Sequence, residues 1–258
     1  EYLVKTTLYS GYLEGENPLS LLISASVESG KTEIVRKFSN NKGILYISDM
    51  TAWGVLDKHL DDLKEGRIKH LIIPDLLVPL SRSADTVNAL IGFLNSLTEE
   101  GIKEVATYAM NFTLPKPVVA GLITAITRGD LNARHARWRS MGFMSRLLPV
   151  SFSYKRETVQ KILDSIANQE YYHDKNHILS FPSDPVKIYL PPYIGIALEK
   201  LTFIMAKAQE VYGFRIQKQL QRLAMSHALM SGRGSVSWED YDMVCSMVNH
   251  INLEYTEI

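Results

Sequence analysis

The residues best placed to do chemistry are Ser29-Gly30-Lys31-Thr32, at the join between an apolar run and an amphipathic one. Gripping a triphosphate takes backbone N–H groups converging on anionic oxygens, a lysine reaching the terminal phosphates, a hydroxyl for the metal and a helix start behind them. Gly30, Lys31, Thr32 and the helix-period segment that follows supply all four, with Ala25, Ser26, Glu28 and Ser29 completing the loop. In a Gly-x4-Gly-Lys-Thr frame Ala25 stands where the first glycine belongs. It is the next smallest residue, at a position that mainly turns the chain out of its strand. The metal expected is Mg2+, held by the Thr32 hydroxyl, a carboxylate and the phosphates. Asp75, closing "HLIIPD", is the carboxylate candidate, because open α/β sheets place ligands at the carboxyl ends of their strands. Against this stands the plainer reading that one is a polar turn and the other a loop start.

These residues need a parallel sheet to present them. Apolar runs that read as buried strands recur at Leu21–Ser24, Gly43–Ser48, His70–Pro74 and Val118–Thr127, although Pro74 removes a ladder donor. Helix-period segments lie between them: residues 30–39 carry Ile34, Val35 and Phe38 on one face, and residues 84–97 carry Val87, Leu90, Ile91 and Leu94. The alternation predicts an α/β fold, a parallel sheet sandwiched by helices, over residues 1–154. Beyond it come helical patterns at Glu157–Gln169, Ile194–Tyr212, Arg215–Met230 and Trp238–Asn252, the last capped by Ser237 and Asp240. They predict a smaller all-α domain over residues 155–258, with an aromatic- and proline-rich excursion between its first two helices.

Bulk composition narrows the partners only slightly. Lys plus Arg and Asp plus Glu both total 28, so no global field points to nucleic acid or to an anionic surface. The lone Cys245 excludes an internal disulfide, is expected as a small buried residue, and suits an intracellular chain. The longest apolar run, Val118–Ile126, falls far short of a bilayer span, so a soluble, cytoplasmic protein is expected, with no membrane partner. The chain opens at Glu1, consistent with a piece of a longer protein.

In order along the chain, Ala25-x4-Gly30-Lys31-Thr32, the run ending in Asp75, a strand ending at Thr127, "GFMSRLLPVSF" and a helical C-terminal part resemble the AAA+ ATPases. The later segments look closest to the branch containing the minichromosome-maintenance (MCM) helicases. The resemblance implies that Arg146 reaches the nucleotide of a neighbouring subunit. It also implies that Arg215, seven residues before Arg222-Leu223-Ala224, is the sensor 2 residue, and that Thr127, or alternatively Thr124, is sensor 1. ATP and Mg2+ are the implied cofactors, and a hexamer-like ring or helical filament the implied assembly.

One departure weighs on activity. The family follows its strand aspartate with a glutamate that polarises water, and here Leu76 follows Asp75. Losing a positioned general base costs roughly 10²- to 10⁴-fold in rate, so nucleotide binding is expected and brisk hydrolysis is not. Glu28 is the only loop carboxylate that could substitute. Phosphoryl transfer rests largely on positioning and charge, so slow turnover remains open.

Two segments could serve a nucleic acid. Arg128, Arg134, Arg137 and Arg139 surround Trp138, a combination able to hold phosphates and stack on a base, or equally to line the subunit interface. Residues 103–119, with Lys103 and Lys116, could form a hairpin before the sensor strand, although extension of the sheet is the simpler expectation. Three functions result: an oligomeric ATPase that remodels or translocates a nucleic acid or protein, a hydrolysis-poor module that assembles on nucleotide, and a small-molecule kinase. The helical C-terminal part speaks against the last.

Overall fold

The computed structural model describes residues 1–106, 111–170, 176–209, 211–248 and 250–251. Five strands form a parallel sheet: β1 (Leu21–Ala25), β2 (Ile44–Tyr46), β3 (His70–Ile73), β6 (Gly121–Thr127) and β7 (Leu148–Ser151). Their order is β2-β3-β6-β1-β7. The strand that feeds the Gly-Lys-Thr loop therefore lies between β6 and β7, in register Ala25 with Thr127 and Leu21 with Leu148. Parallel strands need crossovers, and these are the helices α2 (Lys31–Arg36), α3 (Ala52–Lys64), α4 (Ala84–Asn95) and α5 (Arg128–Ser140).

Both sheet faces are buried, as continuous apolar strands require. One face packs Leu22, Leu71, Ile73, Leu122 and Ile126 under α3, α4 and α5. The other packs Leu21, Ile23, Ile72 and Ile123 with Val35 and Phe38, and that core continues into the helical part. The helical part consists of α6 (Arg156–Ala167), α7 (Pro192–Gln209), α8 (Phe214–Met230) and α9 (Trp238–Val248), joined by α1 (Tyr2–Tyr9) from the start of the chain. Leu3, Val4 and Leu8 of α1 share the core with Leu220, Leu223 and Ala224 of α8. The excursion before α7 is tied down by Tyr9, whose hydroxyl donates to the Ser180 carbonyl at 2.8 Å, and by Phe181 stacked on Tyr12.

Several expectations change. Pro74 lies just past β3 rather than inside it, so no ladder donor is lost. The run expected as one strand from Val118 is two: β6 starts at Gly121, and Val118 closes β5 (Asn111–Val118), which pairs antiparallel with β4 (Ile102–Ala106). The pair is a sheet of its own and does not extend the main one. β7 carries Pro149, which masks it in sequence; proline is tolerated because β7 is an edge strand, paired on one side only. Cys245 is half-buried rather than enclosed.

His70 fixes one strand crossing. The imidazole is fully buried, and burial pushes its pKa down to about 3, so it is neutral in the fold. It leaves room only for a glycine opposite: a Cβ on Gly121 would lie 2.4 Å from His70 Cδ2 and 2.4 Å from the Leu19 carbonyl oxygen.

Candidate nucleotide site

At the carboxyl edge of β1 the chain leaves the sheet through exposed Ser26, Val27 and Glu28, passes buried Ser29 and enters α2. Glu28 and Gly30 both take left-handed backbone angles, φ 61° and 74°. Glycine adopts such angles at no steric cost, and left-handed residues alternating with others are a backbone geometry that can turn neighbouring amides toward one side. The Lys31 ammonium bends back over this loop. It donates to the Ala25 carbonyl at 3.2 Å, the Ser26 carbonyl at 2.6 Å and Ser29 Oγ at 3.2 Å, and has no ion pair among the described residues. Burial holds Lys31 below the usual lysine range, and the charge of Asp75 pulls it partly back.

Asp75 reaches this site from two strands away, about 10 Å by strand spacing. It follows β3 by two residues, half-buried, with Oδ1 accepting from Leu77 N at 3.0 Å. Between the two strands, Thr127 ends β6 level with Ala25. Its Oγ1 caps α5 by accepting from Asp130 N at 3.2 Å and donates to Asp130 Oδ2 at 2.5 Å. Lys31, Thr32, Thr127 and Asp75 thus share one edge of the sheet. Thr124 does not, because it is fully buried and its hydroxyl is spent on the Ile73 carbonyl at 2.9 Å. Thr32 is exposed at the second position of α2.

Leu76 is fully buried among the residues beneath α3 and α4, its N–H bonded to the Ala125 carbonyl at 3.0 Å. The backbone therefore turns this position into the core and away from the Gly30 loop.

The two arginines drawn from the family pattern lie elsewhere. Arg146 precedes β7 at the amino edge of the sheet, which β1 separates from the phosphate loop by five residues, about 17 Å. Its guanidinium donates to the Gly142 carbonyl at 2.8 Å and pairs with Glu100 in its own chain. Arg215, at the start of α8, donates to Ser145 Oγ at 3.1 Å, and together with Arg146, Lys218 and Arg222 it lines a small pocket against Leu19 and Ser20. Arg222 is ion-paired with Glu16 at 2.8 Å. A cavity of about 500 Å3 opens beside them, between the end of α5, β7 and the α7–α8 turn.

The α5 arginines do not form a base-stacking patch. Trp138 is only 2% exposed and packs edge-on against Phe143, which leaves no face for a base. Arg128 donates to the Phe152 carbonyl, Arg134 pairs with Asp130, and Arg137 donates to Asn88 Oδ1 at 2.7 Å. The antiparallel β4–β5 pair does present exposed Lys103 and Lys116; residues 107–110 lie outside the described residues.

Two residues escaped the sequence reading. Tyr154, three residues past β7, donates its hydroxyl to the Ser29 carbonyl at 2.8 Å and so braces the Gly30 loop. The signal was the hidden strand: with β7 beside β1, whatever follows β7 must meet the loop. Asp130 was hidden inside an arginine-rich run. No family model matches this chain, and no curated protein is similar enough in sequence to be counted a relative.

Proposed function

We propose that this chain binds a nucleoside triphosphate with Mg2+ at the Gly30 loop and works as a subunit of a head-to-tail, AAA+-type oligomer that turns nucleotide over slowly. The observation that carries the reading is the convergence of Lys31, Thr32, Thr127 and Asp75 at the carboxyl edge of three adjoining strands, with Asp75 close enough to act on the charge of Lys31. The residues suit the ligand: a curled loop of amides, a lysine whose present partners are loop oxygens, and a carboxylate across the edge. Lys31 would exchange those carbonyls for phosphate oxygens, and Thr32 and Asp75 would hold the metal. Bound Mg2+ supplies charge neutralisation on the phosphates.

Slow turnover is favoured over a fast motor because Leu76 faces the core. Of the other carboxylates near this edge, Asp130 is occupied by Thr127 and Arg134, and Glu28 is exposed on the loop. Head-to-tail assembly is favoured because Arg146 sits at the opposite end of β1 from its own loop, about 17 Å by strand length, and a neighbour's loop is the one it could serve. A nucleic-acid partner, if the oligomer has one, is best served by the exposed lysines of the β4–β5 hairpin.

Titration calorimetry with Mg-ATP and Mg-GTP tests the binding claim. A charged hydrogen bond to phosphate contributes about 1.5–3 kcal/mol, so Lys31→Ala should weaken binding roughly 10- to 100-fold. No heat from the unaltered chain would end the proposal.

A further inference from the structure

Among the described residues, nothing buries α6. None of its residues is buried, and only Ser165 is half-buried. Yet Val159, Ile162, Leu163 and Ile166 follow the i, i+3, i+4, i+7 pattern, which gathers them on an arc of about 100°. All four are 40–53% exposed. α7 repeats the situation. It buries Ile194, Leu198, Thr202 and Met205 and turns Tyr193, Ile196, Phe203 and Ile204 outward, 54–70% exposed. Just beyond α7, Tyr212 and Phe214 stack on each other at 5.8 Å while 88% and 75% exposed. Apolar faces of this extent mark an interaction surface.

We infer that the α6 stripe of one copy packs against the α7 face of the next, so that the helical parts form a second half of the subunit contact. The inference rests on the head-to-tail reading above and adds to it a specific pair of surfaces. Continuity points to the pairing. α6 starts two residues after Tyr154, which is hydrogen-bonded to the Gly30 loop, so the start of the helix that carries the stripe lies beside that loop. The α7 face runs through Tyr212 and Phe214 into Arg215, which is bonded to Ser145 beside Arg146, so arginines and face belong to the other side. Wherever Arg146 meets a neighbour's loop, α7 is the element next to that neighbour's α6.

Two other occupants fit less well. A twofold pairing of α6 with α6 leaves the α7 face bare, whereas one repeated head-to-tail contact covers both. An anionic lipid surface would want a basic helix. On α6, Arg156 and Lys161 are offset by Glu157 and Asp164.

Cysteine cross-linking decides it. In a Cys245→Ser background, Leu163→Cys and Ile204→Cys chains are each purified full length, mixed with Mg-ATP and oxidised. A cross-linked pair is expected in the mixture and absent from either chain alone. Leu163→Glu, a change on an exposed face, should keep the circular dichroism melt and lower the association constant at least tenfold in sedimentation velocity. Cross-linking of Leu163→Cys with itself would overturn the inference in favour of a twofold. A cross-link that appears only after residues 252–258 are deleted would overturn it too, by showing the stripe covered within one chain. Oligomers that depend on Arg146 but give no cross-link would sink this pairing and spare the head-to-tail reading. A chain that binds nucleotide yet stays monomeric would sink both.

Discussion

Substituting Leu76→Glu introduces the carboxylate that the resemblance expects after Asp75, and the burial of this position predicts a loss of stability and no gain in phosphate release. The side chain is fully buried in the core cluster that also holds Met50, Leu71, Leu80, Leu90 and Leu94. Removing it forfeits about 1.5–3 kcal/mol of burial. The carboxyl that replaces it must stay neutral; a pKa raised by about 3 units costs about 4 kcal/mol at pH 7, at 1.36 kcal/mol per unit. Together the change costs about 6 kcal/mol, comparable with the whole stability of many domains. The penalty is absent below the unfolded value, about 4.3, and grows as pH rises through it toward the folded value. Urea denaturation of variant and parent at pH 7 and pH 4.5 should therefore show a gap that narrows in acid. Phosphate release should remain at the level of the unaltered chain. A Leu76→Glu protein within about 1 kcal/mol of the parent that gained turnover tenfold or more would show that this position faces the nucleotide, and the reasoning would fail.

Acid should weaken the fold through His70, whose pKa is about 3 when buried against 6.5 as the ordinary value; the neutral form's advantage is lost as pH falls from 6.5 toward 3, about 3 kcal/mol of it by pH 4.5. Urea midpoints across that range should show a slope that His70→Gln removes. Gly121→Ala puts a Cβ 2.4 Å from both His70 and the Leu19 carbonyl, and thermal melts should report a loss of about 1–3 kcal/mol or more. Glu100→Gln removes the charge partner of Arg146. Sedimentation with Mg-ATP should then show association several-fold tighter, and a weakening would mean that the pair builds the interface.

The sheet was legible where burial is two-sided. Leu21–Ser24 and His70–Ile73 are plain apolar runs because both faces are covered, and helix periodicity located α7 and α8 within end fraying. β7 was not legible, because "LPVS" carries a proline and only its place at the sheet edge makes that tolerable. The hairpin was half legible: a run continuous in sequence across Val118–Thr127 is split in space at Val119 and Ala120, where nothing in the apolar pattern marks a break. At the site, the loop and Asp75 could be read as a motif, since each is set by local chain geometry. Asp130 and Tyr154 could not, because their roles come from strand order.

Strand order also decides what Arg146 can do. Had β7 lain elsewhere, or run antiparallel, the residue before it could have approached its own phosphate loop. Running parallel to β1 and in register Leu21 with Leu148, it pins Arg146 to the amino edge, the far end of a strand whose other end carries Gly30. Within one chain the guanidinium has settled on Glu100 and the Gly142 carbonyl, while its Nε is buried without a hydrogen-bond partner among the described residues. An arrangement that leaves a buried donor unpaired costs about 1–3 kcal/mol. Glu100 pairs with an outer guanidinium nitrogen, so under the proposed head-to-tail reading a phosphate oxygen of an adjoining copy would replace Glu100 charge for charge and leave Nε as it is, and the link from nucleotide to assembly would run through that exchange of charge partner.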